Sequence, residues 1–202
     1  MSYLDHIKAC NNANLSRYAR FRIGNAPLGA IRSDFANALI GLGGDFVRDE
    51  NGEFGFARHI QTPAQRNDTL HRATVQLCDT GHIRHLHGEK FDVRASLSEA
   101  PLCQLDRFAM PHFGFRSWGV HMNGYVRKSD GLQAVGTVSY LYETDEGLKP
   151  DVMVNYDLEL PETFEPRCAD GEVERFDLLP IAEVAEIVRS GFDFKFNCAL
   201  VI

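Results

Sequence analysis

Three histidines stand close together in the first half of this sequence, His82, His85 and His87, as His-Ile-Arg-His-Leu-His. On a strand, His85 and His87 share one face and His82 takes the other. On a helix, His82 and His85 are neighbours. A metal site needs three or four converging ligands and groups behind them that orient them, so the run reads first as polar positions on a half-exposed strand. The five cysteines, Cys10, Cys78, Cys103, Cys168 and Cys198, are widely spaced and form no C-x-x-C. They suggest neither a disulfide framework nor a zinc site. There is no G-x-S-x-G for nucleophilic catalysis and no G-x-x-x-x-G-K-[ST] phosphate loop. Gly41-Leu42-Gly43-Gly44 follows an apolar helical stretch, so it reads as a helix end. In the second half Glu172 and Glu174 are two residues apart and would share a strand face. Tyr140 and Tyr142 would too, either packing across strands or stacking on a heteroaromatic ring.

The elements that must position these residues change in texture along the chain. The first part reads as mixed. A short helix lies within residues 1–19, and an extended piece covers Phe21–Ile23. Ser33-Asp34 caps a helix over Phe35–Leu42. Phe46–Arg48 and Phe54–Phe56 flank Asp49-Glu50-Asn51-Gly52 as a hairpin. Thr62–Cys78 reads as a helix with Pro63 in its first turn. Ile83–Val93 reads as extended, and Leu97–Ala109 as a turn or short helix. From Phe113 on, strands dominate: Trp118–Val126, Gln133–Glu143, Asp151–Leu160 and a short one at Glu172–Leu178. Pro180 opens a last helix, Ile181–Ser190, which Gly191 ends.

Charge follows the same division. Residues 1–110 carry 13 basic and 12 acidic side chains, and residues 111–202 carry 8 and 16. A net charge of −7 argues against general nucleic-acid binding, which needs a basic footprint. No run approaches the roughly 18 apolar residues of a membrane helix. Met1–Asn12 has no apolar core of a signal peptide. The expectation is an α+β protein of the cytoplasm, with no membrane partner.

Several runs carry a resemblance. They are Phe113-Gly114-Phe115-Arg116 through Trp118–Val126, Ala134–Tyr140, Tyr142–Val152, Tyr156–Pro161, Asp170–Glu174 and Asn197–Val201. Together they resemble the Nudix hydrolases related to the domain fused to thiamine pyrophosphokinase in fungi, over nearly the whole chain. The resemblance implies an accessory domain over residues 1–110 and a Nudix-like mixed β-sheet with flanking helices over 111–202. It implies Mg²⁺-dependent cleavage of a diphosphate bond in a thiamine-diphosphate-like or nucleoside-diphosphate-like small molecule. Dimers are common in the family, so a homodimer is the expectation by analogy. By the same resemblance, Glu172 and Glu174 fall where an additional carboxylate lies near the metal. Trp118, His121 and Asn123, with Tyr140 and Tyr142, would line the substrate cleft.

The family's Nudix box, G-x5-E-x7-R-E-U-x-E-E-x-G-U, is absent. In the family it joins the strand ending here at Val126 to the strand beginning near Ala134. Here only residues 127–133 join them, with Asp130-Gly131 suggesting a hairpin turn. One carboxylate in seven residues cannot supply the several oxygen ligands that Mg²⁺ needs. Two accounts meet this departure. Either the protein has lost the segment and is a Nudix-like binding or scaffolding module, or a stretch is missing from the sequence as read. A sheet deprived of a covering helix exposes apolar surface.

Overall fold

The computed structural model describes residues 2–126, 132–169, 171 and 173–202; of Leu132 and Gln133 only the backbone is described. The protein is α+β, and it divides into two compact units. One comprises Asn11–Trp118 and Ser139–Val152. The other comprises Met1–Cys10, Gly119–Val138 and Met153–Ile202.

The first unit is built on a four-stranded sheet. Strands β1 (Tyr18–Ile23) and β2 (Ala26–Arg32) form a hairpin, as do β3 (Phe46–Arg48) and β4 (Phe54–Phe56), and the sheet order is β2-β1-β4-β3. β1 and β4 pair in parallel. The extended piece expected over Phe21–Ile23 is the end of β1, after which the chain turns at Gly24-Asn25 and re-enters the sheet at once. Pro27 is tolerated because the ladder shifts register between Phe21 and Arg22, opposite it. The hairpin expected at Asp49–Gly52 is present, and the Asp49 carboxylate accepts from the Asn51 and Glu53 N–H groups.

Helices α2 (Ser33–Gly41) and α3 (Pro63–Asp79) carry apolar stripes into this core. Thr62 caps α3 through a reciprocal pair: its hydroxyl accepts from Gln65 N–H and Gln65 Oε1 accepts from Thr62 N–H. A second small sheet pairs β5 (Lys90–Val93) with β6 (Cys103–Asp106), where a turn or short helix was expected. Cys103 and Leu105 are buried and Gln104 is exposed, an alternation too short to register in the sequence. The extended stretch expected from Ile83 is a strand only from Lys90.

Phe21 is the centre of the core. Its ring meets Phe54, Phe56, Phe113 and Phe115 at centroid distances of 5.1–5.9 Å. The short helix α4 (Met110–Phe113) ends at Gly114 (φ 57°), which satisfies the left-handed cap and lets the backbones touch. A Cβ at Gly114 would sit 2.1 Å from the Ala30 carbonyl oxygen.

The remaining strands are β7 (Ser117–Val126), β8 (Leu132–Thr144) and β9 (Gly147–Leu160), in the order β7-β9-β8. β8 and β9 turn at Asp145-Glu146. The expected Asp130-Gly131 turn lies outside the described residues. The strands on either side of it are not hairpin partners, because β9 lies between them. At its other end β8 is met by side chains: Asn11 Oδ1 accepts from Leu141 N–H and Asn12 Oδ1 accepts from Glu143 N–H. Two asparagines thus take the place of a neighbouring strand on that stretch of edge.

In the second unit, helix α1 (Tyr3–Cys10) is tied to α5 (Ile181–Ser190). Tyr3 donates to the Ala185 carbonyl at 3.0 Å, and His6 Nε2 lies 2.6 Å from the Val188 carbonyl. A carbonyl only accepts, so His6 carries its proton on Nε2. Phe192 packs edge-on against the same imidazole. Of the strand expected at 172–178, residue 172 lies outside the described residues, and residues 173–178 form no strand. Val173, Phe176 and Leu178 all stay exposed, so residues 173–180 have no ladder to join. On β7, Val120, Met122 and Val126 are 69%, 50% and 37% exposed, a row of apolar side chains on one face of the strand.

Candidate functional site

The residues expected to touch substrate divide between two places. The first is the opposite face of β7, in the second unit. His121 Nε2 lies 2.9 Å from Asn123 Oδ1. Asn123 Nδ2 donates to Asp157 Oδ1 at 3.3 Å and to the Val201 carbonyl at 2.7 Å. Tyr125 donates to Glu159 at 3.4 Å, and a Cβ on Gly119 would meet Met153 Cγ at 4.0 Å. Each pair is 34 residues apart, which only parallel strands in one register allow. That register sets His121 beside Asn155. With β8 returning antiparallel, the sheet is mixed.

The result is a polar row of His121, Asn123, Asn155 and Asp157. Asn155 is 5% exposed, and its Oδ1 is buried without a hydrogen-bond partner. Sequence reasoning found His121 and Asn123 but not Asn155 or Asp157. Alternation along Asp151–Leu160 puts Asn155 and Asp157 on one face of the strand, but only the pairing with β7 sets them beside His121 and Asn123.

The second place is a cleft of about 430 Å³ in the first unit, lined by Asn12, Arg17, Arg32, Tyr142, Glu143, Thr144 and Asp145. Glu143 organises it. Its carboxylate accepts from Asn14 N–H (2.9 Å), Arg17 (3.0 Å) and the Tyr18 hydroxyl (3.1 Å). The Asn14 N–H, followed by Tyr18 and Arg17, holds Glu143 below its usual carboxylate range against the opposing effect of burial. Burial, and then the Glu143 carboxylate, push the Tyr18 hydroxyl up to about 12. Arg32 closes one side by donating to the Asp145 carbonyl at 2.9 Å. Of the expected residues only Tyr142 reaches this cleft.

The others are placed as follows. Tyr140 is 5% exposed and donates to Asp151 at 2.8 Å, so its ring is packed in the core. Trp118 is half-buried under the Arg116 guanidinium, 5.6 Å from its ring, and its buried Nε1 has no hydrogen-bond partner. Glu172 lies outside the described residues. Glu174 is exposed, in a stretch without regular structure. His85 and His87 both pack on the Phe108 ring, with centroids at 4.2 and 5.4 Å, and His82 meets the Thr80 hydroxyl. Among the described residues no three His, Cys, Asp or Glu side chains stand close enough to share a metal ion.

A family model, described as a domain of unknown function (DUF4743), matches residues 2–117, more than half of the chain. The chain belongs to the DUF4743 family. Two proteins of Arabidopsis thaliana extend the similarity beyond that region. Nudix hydrolase 20, chloroplastic, is 29% identical over 99% of this chain and 71% of its own length, and Nudix hydrolase 24, chloroplastic, is 25% identical over 99% and 70%. The uncharacterized protein YJR142W of Saccharomyces cerevisiae is 38% identical over 36% of this chain and 24% of its own length. The chain is thus of Nudix-related lineage. The first alignment spans 264 positions and this chain has 202 residues, so at least 62 aligned positions find no residue here. No helix of the described residues is long and apolar enough to cross a membrane.

Proposed function

We propose that this protein comes from a line of diphosphate-bond hydrolases and that the 202-residue chain binds such a small molecule without cleaving it. One observation carries the reading. Similarity to two Nudix hydrolases runs through 99% of the chain, yet at least 62 positions within each of these alignments are unfilled. The unfilled stretch is assigned to the link between β7 and β8, where the Nudix box is missing from the sequence. Among the described residues no set of side chains fits the Mg²⁺ expected of the lineage: Asp157 already accepts from Asn123, Glu174 is exposed, and no three ligands stand together. Substrate recognition is assigned to the β7–β9 polar row. A thiamine-diphosphate-like metabolite is the proposed class, in a cytoplasmic homodimer without nucleic-acid or membrane partners. Within it, residues 1–110 are the accessory domain and 111–202 the Nudix-like domain.

The test is Mg²⁺-dependent phosphate release from thiamine diphosphate and from ADP. We expect none from the 202-residue chain. We expect turnover from a chimera in which residues 127–131 are replaced by the corresponding segment of Nudix hydrolase 20. Turnover by the 202-residue chain itself overturns the reading. The alternative, an active hydrolase, applies if the protein from its native source weighs several kDa more than 22.7 kDa.

A further inference from the structure

We propose that the outer edge of β7 pairs antiparallel with β7 of a second copy, joining two three-stranded sheets into one about a two-fold axis. The inference rests on the homodimer proposed above, and it names the surface that forms it. β7 is an end strand of the order β7-β9-β8, and among the described residues no strand lies along its outer edge. An edge strand offers its N–H and C=O groups to any other chain, and folded proteins blunt such edges with charges, proline or a cover. β8, the other end strand, is blunted over part of its length by Asn11 and Asn12, which accept from the Leu141 and Glu143 N–H groups. β7 carries no such guard in its own sequence. Ser117–Val126 includes no Asp, Glu, Lys, Arg or Pro.

The composition of β7 selects the occupant. The chain has a net charge of −7, so two copies repel each other over most of their surface. A charge-free strand is where they can meet. A two-fold axis sets the strand against itself reversed, and the register must keep each face continuous. With the axis at Asn123, Val120 faces Val126 of the second copy, and Met122 faces Gly124 of the second copy. Two branched side chains then pair, and a long one lies over a glycine. Val120, Met122 and Val126, all exposed in the single chain, gain neighbours at once.

The experiment is light scattering with residue-resolved amide exchange on the full chain, at concentrations on either side of the dissociation constant. In the dimer, every second amide from Val120 to Val126 points out of its own sheet and should be protected. On dilution those amides should exchange at least about tenfold faster, while the alternate ones, which face β9, stay unchanged. V120K puts a charge on the pairing edge and should raise the dissociation constant at least about tenfold. A V120K chain that dimerises as tightly as the wild type counts against the proposal. A wild-type dimer whose β7 amides ignore dilution overturns the edge pairing and leaves the homodimer standing. Protection that appears at residues 173–179 as well would mean that this segment pairs with β7, which overturns self-pairing. A chain monomeric at every concentration removes the homodimer, and this inference with it.

Discussion

One amide nitrogen of Asn123 donates to both the Asp157 carboxylate and the Val201 carbonyl, joining β7, β9 and the C-terminal turn at a single point. Asn123→Ala removes both bonds and leaves Asp157 without this donor. The expected cost is about 1–3 kcal/mol of stability, read in denaturant melts. Amide exchange should speed up over residues 197–201 and stay unchanged in α3. Unchanged exchange in the C-terminal turn would mean that Asn123 does not hold it.

The second prediction concerns pH. His112 is buried and stacks on Phe35, with centroids 4.9 Å apart. Burial, with Arg32 nearby, pushes its pKa from 6.5 down to about 4. Between those values the unfolded chain holds more protons than the folded one. Stability therefore falls as pH drops from about 6.5 toward 4, by at most about 3 kcal/mol, and this contribution is flat above 6.5. His112→Phe should flatten the profile in that window. A variant as acid-sensitive as the parent would assign the effect to other groups.

Tyr18 offers a spectroscopic check on the cleft. Burial and the Glu143 carboxylate hold its pKa near 12. Glu143→Gln should lower the pH at which one phenol ionises, seen as phenolate absorbance appearing earlier in a titration. It should also loosen Asn14 and Arg17, which lose their shared acceptor. No displacement of the phenolate curve would place the whole effect in burial.

The open apolar row on β7 predicts association. Val120 and Met122 are 69% and 50% exposed, and apolar surface of this kind is normally covered. Light scattering should find the wild-type chain as a dimer or larger, and hydrophobic dyes should bind it. Val120→Lys with Met122→Lys should give a monomer while changing stability by less than about 0.5 kcal/mol per site. A wild-type chain already monomeric and silent to dye would remove both the prediction and the proposed homodimer.

Long periodic stretches were legible in the sequence. α3 with Pro63 in its first turn, the β3–β4 hairpin, α5 between Pro180 and Gly191, and the three long strands follow from patterns that span several turns or pleats. The cap expected at Ser33-Asp34 was not legible: α2 already includes both residues, and Arg32 before them makes no side-chain cap bond. β6 was not legible because two buried positions, Cys103 and Leu105, make no period until Lys90–Val93 pairs with them. Nor was the absence of a strand at 173–178, because residues that alternate like a strand still need a partner edge. For the polar row, His121 and Asn123 could be picked by type. Asn155 and Asp157 emerge only once the parallel register of β7 and β9 is known, and no local pattern encodes a pairing between residues 34 apart.

The strand order β7-β9-β8 has a consequence for synthesis on the ribosome. The middle strand of this sheet is the last one made. β7 and β8 leave the exit tunnel before either has its neighbour, and each waits with an open edge until β9 arrives to pair with both. The sheet closes in one late step, so the nascent chain passes through a stage in which its most strand-rich stretch is unpaired. Slowing translation between Thr144 and Leu160 would prolong that stage, and chaperone demand should rise with it.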